Sequence, residues 1–185
     1  MAIYRILGID PGTNYMGYGV LEIDGRELSA VVLGALDLHK IVDPYAKLRY
    51  IFDIVCQLVA DYEPSEVALE SPFFGENVQS MLKLGRAQGV AMAAASERDI
   101  PIFEYAPMKI KLSIVGNGEA SKEQVAAMLQ RLLHIPDEQM PPKLDATDAL
   151  AAAMCHFYQG NNPLSEKKYN SWKDFIQKNP GKVRK

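Results

Sequence analysis

The sequence predicts an α/β fold, a five-stranded mixed sheet with helices on both faces. Three observations carry this. Three strand-like runs follow one another at the N-terminus with only turns between them; the chain then alternates helix, strand, helix, strand and closes with helices. Finally, 185 residues, 48% of them hydrophobic, suffice for one good core, so a single domain is expected and a second catalytic domain is not.

The elements can be justified in order. Ile3 to Ile9 and Gly17 to Ile23 read as strands, and Asp24-Gly25 within "EIDGRE" marks a hairpin turn into a third strand near Ala30 to Leu38, giving an antiparallel meander. In "YAKLRYIFDIVCQLVADY" the residues Leu48, Ile51, Phe52, Val55, Leu58 and Val59 share one face at helical spacing, until Glu63-Pro64 stops the helix. "SEVALES", Ser65 to Ser71, is a short apolar run ending in an acid, Glu70. A long helix from about Asn77 to Arg98 precedes the strand "IPIFEY" and a short helical piece near Met108 to Ile114. In "GNGEASKEQVAAMLQRLL" a loop opens a helix, with Ser121 as N-cap and Gln124 as its capping-box partner. A Pro-rich loop then opens the last helix, "LDATDALAAAMCHFY".

Composition excludes several classes. "MAIYRILGID" has no signal-peptide core, and no apolar run is long enough to span a bilayer, so a soluble, cytoplasmic protein is expected. Cys56 and Cys155 each lie in an apolar, helix-like stretch, which fits buried reduced thiols rather than a disulfide framework or a metal knuckle. The three histidines, His39, His134 and His156, are scattered and read as structural or solvated. The net charge of −3 hides an asymmetry: from Ser165 onward seven Lys or Arg face only Glu166 and Asp174, so the tail carries +5 and the body −8. The chain therefore divides into a domain over 1–160 and a basic tail over 161–185, which either holds polyanions or is a solvated, disordered terminus.

Four acids fall in meaningful places. Asp10 ends the first strand and Glu70 the fourth, and if the fourth strand returns beside the first, those ends are neighbours. Asp145 and Asp148, three apart at the start of the final helix, project from roughly one face of its first turn. Singly, each acid is explicable as a turn, a strand end or a helix cap. Jointly they are not, because clustered carboxylates repel one another and a divalent cation is the cheapest way to keep them ionised. Oxygen-only ligands suit Mg²⁺ or Mn²⁺, and no His or Cys cluster offers a zinc site. Such a set, open to a phosphate, is the equipment of two-metal phosphodiester hydrolysis.

The motifs "GIDPG" followed by "MGYGV", then "LESPFF", "LKLGRAQGV", "VGNGEASKEQV" and "DATDALAAA" agree in type and order with one family. The chain resembles the RuvC Holliday-junction resolvases of bacteria over about Ile6 to His156. The resemblance implies an RNase H-like fold, with Asp10, Glu70, Asp145 and Asp148 as catalytic acids binding two Mg²⁺ per site, Mn²⁺ able to substitute. It implies paired symmetric nicks in a four-way DNA junction, leaving 5′-phosphate and 3′-hydroxyl ends, by a homodimer that partners the RuvA-RuvB branch-migration complex. It further implies that Phe73 is the aromatic wedge at the junction centre and that Lys111 and Lys122 serve the scissile phosphate.

The residues themselves agree in part. Lys122 falls in the first turn of a helix, where anions are welcome but where a surface lysine is equally at home. Lys111 has Lys109 beside it in "KIKL", and either could be the solvated one. Phe73 and Phe74 sit in the polar loop "PFFGENVQS", where an exposed aromatic can stack on an unpaired base, and the sequence does not choose between them. Gly85, Gly89 and Ala93, four apart on the long helix, permit either tight packing on the sheet or a subunit contact. Two rival readings remain: a non-catalytic junction-binding protein, which leaves the four acids unexplained, and an actin-like or sugar-kinase ATP-binding domain, suggested by "GIDPGT", for which the chain is too short.

Overall fold

The structure is a computed structural model, and it describes residues 3–71 and 77–160. The meander consists of β1 (Tyr4–Asp10), β2 (Tyr15–Asp24) and β3 (Glu27–Asp37). After it come α1 (Pro44–Tyr62), β4 (Glu66–Glu70), α2 (Val78–Ser96), β5 (Ile102–Tyr105), α3 (Pro107–Val115), α4 (Lys122–Leu132), a 3₁₀ turn at Asp137–Gln139 and α5 (Leu144–Gly160). The basic tail, 161–185, lies outside the described residues.

The sheet order is β3-β2-β1-β4-β5, antiparallel within the meander and parallel from β1 through β4 to β5. The long returns that parallel pairing requires are supplied by α1 and by α2. The second and third strands start earlier than their apolar runs suggest, at Tyr15 and Glu27, because the hairpin ladder runs from Tyr15 opposite Asp37 to Asp24 opposite Glu27. Helix boundaries follow their caps. Asp43 accepts from the Tyr45 and Ala46 N–H groups at the start of α1, Asn77 caps α2, and at α4 Ser121 and Gln124 form the reciprocal capping box.

Alternation along the central strands divides the core in two. Leu7 and Ile9 of β1, Met16 and Val20 of β2, and Val67 and Leu69 of β4 point to the face covered by α1 and α2. Ile6, Leu21, Ile23 and Ala68 point to the other face, covered by α3, α4 and α5. The same parity sends Asp10 and Glu70 to the α5 face. There α5 packs very close, because Gly8, Gly17 and Gly19 offer no side chains: a Cβ on Gly8 would stand 1.9 Å from the Ala149 carbonyl oxygen, and one on Gly17 would stand 1.8 Å from that of Asp145.

On the other face, α2 buries Ala87, Ala91, Ala94 and Ala95 against α1 and the sheet. Gly85, Gly89 and Ala93 point away from that contact, and a Cβ on either glycine would meet nothing within 4 Å. The small-residue stripe is therefore not used to pack α2 on the sheet. At the end of the sheet opposite Asp10, His156 is buried and joins four elements. Its Nδ1 is hydrogen-bonded to the Tyr105 hydroxyl (2.6 Å) and its Nε2 to Glu66 (2.5 Å), which also accepts from the Tyr4 hydroxyl. His156 is thus structural. Cys155 is buried, whereas Cys56 is only half-buried, its Sγ 3.3 Å from Glu97.

Candidate active site

Asp10 pairs across to Gly17 of β2, and the parallel register that sets Ile9 beside Leu69 brings Glu70 next to Asp10. Asp145 and Asp148, one helical turn apart, come down over these strand ends because α5 rests on Gly17 and Gly8. The fourth contributor is α4. Lys122, its first residue, is ion-paired to Asp148 and stands 3.8 Å from Asp145. Asp10, Glu70, Asp145 and Lys122 line a cleft of about 280 Å³, whose other walls include the Pro11-Gly12 turn and Leu84 and Gln88 of α2.

The electrostatics are those of crowded like charges. Burial holds the Asp10 carboxyl well above its ordinary range, and the Glu70, Asp148 and Asp145 carboxylates push it further, with Lys122 opposing. Glu70 is pushed up to about 7, first by burial and then by Asp148, against the pull of Lys122 and Lys111. Asp148 is also raised, burial outweighing its pairing with Lys122. Burial acts to lower the Lys122 ammonium, but its hydrogen bond to Asp148 and the charges of Asp148, Asp10 and Asp145 leave it net raised. Lys111 lies close enough to lower both Glu70 and Asp148, while Lys109 stands over the Tyr105 ring, 5.0 Å from its centroid.

All four predicted acids and both predicted lysines are thus brought to one region, and Lys111 is separated from Lys109. Phe73 and Phe74 lie outside the described residues. The donor chemistry fits hard divalent cations: four carboxylates, no nitrogen or sulfur ligand, and one ammonium standing among them as a cation would. Among the described residues no three such side chains are drawn tightly enough to enclose an ion as they stand. The residues that sequence reasoning missed are the spacers, Gly8, Gly17 and Gly19, and the pocket wall residue Gln88. Gln88 is 5% exposed and donates through Nε2 to Glu104 (2.8 Å). The signal was available: two glycines two apart in "GYG", hence on one face of a strand, and a glutamine on the buried, alanine-rich side of a helix.

A β3-β2-β1-β4-β5 mixed sheet flanked by helices on both faces is the RNase H-like architecture. The sequence model described as "Crossover junction endodeoxyribonuclease RuvC" matches residues 6–156, and the chain belongs to this family. Among curated relatives of that same description, one from Bacteroides fragilis is 62% identical over 179 residues, covering 97% of this chain and 95% of the relative. One from Porphyromonas gingivalis is 58% identical, covering 97% and 96%. Among solved structures, Thermus thermophilus RuvC in complex with Holliday junction substrate superimposes with a TM-score of 0.78 at 28% identity, covering 85% of this chain and 94% of that one.

Proposed function

We propose that this protein is a structure-selective endonuclease that resolves four-way DNA junctions by paired symmetric nicks, acting as a homodimer in the bacterial cytoplasm beside a RuvA-RuvB branch-migration complex. The observation that supports this most directly is the convergence of Asp10, Glu70 and Asp145 on one cleft, from the ends of two strands and one helix, with Lys122 lining it and Asp148 paired to that lysine. Family membership supplies the substrate class.

In this reading Asp10, Glu70, Asp145 and Asp148 would hold two Mg²⁺ ions, for which Mn²⁺ could substitute, and these would supply activation of water and stabilisation of the leaving oxygen. The chain's own residues do the rest. Asp10 and Glu70, fixed on neighbouring rigid strands, set one side of the cleft, and the first turn of α5 sets the other. Lys122 neutralises Asp148 and Asp145 while they lack ions. Its ammonium would donate to the scissile phosphate, with Lys111 adding positive charge beside it. Water adds to phosphorus, the P–O3′ bond breaks, and the proton passes to O3′, leaving 5′-phosphate and 3′-hydroxyl ends. Phe73, with Phe74 as its alternative, stacks at the junction centre.

The deciding experiment is cleavage of a labelled four-way junction. Wild-type protein should cut in Mg²⁺ or Mn²⁺, bind with little turnover in Ca²⁺, and be inactive in excess EDTA. Asp10→Asn, Glu70→Gln, Asp145→Asn and Asp148→Asn should each lower cleavage by about a thousandfold or more while leaving junction binding in Ca²⁺ largely intact. Activity in EDTA, or normal cleavage by the acid variants, would sink the reading; binding with no cutting under any ion would favour a junction-binding protein instead.

A further inference from the structure

Between the N-terminal turns of α1 and the flank of α2 runs a groove of about 590 Å³ that the catalytic reading does not use. Lys47, Lys83 and Arg86 line it, and no acid does. That is a concentration of positive charge on a body carrying −8. Neither Lys83 nor Arg86 belongs to an ion pair among the described residues. The acid nearest in the chain, Asp43, is engaged in capping α1 through the Tyr45 and Ala46 N–H groups. Tyr45 and Val42 border the groove while 77% and 95% exposed, an unusual amount of apolar surface to leave in water.

The groove and the acid cleft adjoin along the Pro11–Thr13 turn and along α2. Thr13 lines the groove directly after Pro11 and Gly12, which line the cleft, and the Lys47 ammonium donates to the Thr13 carbonyl (2.8 Å), tying α1 to that turn. On α2, Lys83 and Ala87 face the groove while their neighbours Leu84 and Gln88 face the cleft. A strand with one phosphate at the acids therefore has this groove as a continuation over the Pro11–Thr13 turn.

We propose that the groove holds the DNA strand flanking the scissile phosphate, Lys83 and Arg86 taking its phosphates and Tyr45 and Val42 packing on a base or sugar. Cations beside an exposed aromatic are the combination that grips a nucleic-acid strand, the first by releasing its counterions, the second by offering its bases an apolar surface. An acidic protein segment would satisfy the cations equally. The position of the groove directly beside the carboxylate cleft is what favours DNA.

The inference rests on the junction-nuclease reading, and the test separates the two. Full-length protein is titrated with a four-way junction in Ca²⁺ across a range of salt. Lys83→Ala combined with Arg86→Ala should weaken binding roughly tenfold or more and make the slope of log K against log[salt] shallower by about 1.4 to 1.8 for each occupied groove. Tyr45→Ala should weaken binding several-fold with the slope unchanged. The exchange Lys83→Arg with Arg86→Lys should keep the wild-type slope, as should Arg131→Ala on α4, across the sheet. A wild-type slope in the double alanine variant overturns the groove assignment and leaves the nuclease intact. The same slope with an altered sedimenting mass would mean that the groove meets a second copy, which also overturns it. Wild-type protein that fails to bind junctions overturns both.

Discussion

Asp10 takes its charge reluctantly: it is sunk among apolar strand residues, faces three other carboxylates, and is relieved mainly by one lysine. The consequence is measurable without any substrate. Glu70, ordinarily near 4.5, is held at about 7 in the fold, so between those values the folded chain keeps a proton that the unfolded chain has lost. Stability contributed here therefore falls as pH rises from about 4.5 to 7, and above that the penalty is complete. Asp10 and Asp148, raised for the same reason, act in the same direction. In EDTA at pH 8, Glu70→Gln should thus stabilise the protein by about 1–3 kcal/mol and flatten its stability between pH 5 and 8. Added Mg²⁺ should raise the wild-type melting temperature more than that of the variant. Melting curves would show it, and a destabilised Glu70→Gln protein would mean that burial and the neighbouring Asp148 do not penalise the ionised Glu70.

At the level of elements, the site depends on how near α5 can come to the sheet. Gly17 faces Asp10 across the ladder and leaves its Cβ position to the Asp145 carbonyl, so Gly17→Ala must push the first turn of α5 away from the strand ends. A cost of about 1–3 kcal/mol is expected, as for overpacking in a close-packed core. Cleavage at saturating junction should fall further than stability alone explains, since a displacement of about 1 Å in positioned groups can cost a hundredfold. Gly19→Ala, whose Cβ would stand 3.1 Å from that of Leu150, should be milder on both counts. Equal effects at the two positions would show that α5 adjusts freely and that its depth is not what places Asp145 and Asp148.

For the whole molecule the question is symmetry. A four-way junction becomes two ligatable duplexes only when two like strands are nicked at related positions, and Asp10, Glu70 and Asp145 of one chain line a single cleft. In the proposed reading a two-fold dimer, the commonest closed assembly, would supply the second. The outward face of α2 is the candidate contact: Gly85 and Gly89 open onto free space, and Val78 and Leu82, 67% and 52% exposed, continue the same stripe. Gly89→Leu should weaken dimerisation and uncouple the paired nicks, so that sedimentation shows more monomer and junctions accumulate with a single cut. A normal dimer from this variant would move the interface elsewhere and leave the acid cleft untouched.

Much of this was legible in the sequence, for local reasons. The hairpin at Asp24-Gly25, the capping box of Ser121 and Gln124, the stop at Glu63-Pro64 and the helical face of α1 are written in neighbouring residues, because turns, caps and periodicity act over a few positions. The four acids could be picked out because each stands at the end of an element, and their motifs assign the family. What residue order could not show is which long-range surfaces meet. Whether Lys109 or Lys111 joins the acids depends on how α3 is rotated against α5; that His156 ties Glu66 to Tyr105 depends on β4, β5 and α5 closing together. The cationic groove likewise exists only because α1 and α2, separated in the chain by a strand, pack side by side on one face of the sheet. Such contacts are chosen by the burial of whole faces rather than by any short stretch, and so only the tertiary structure decided them.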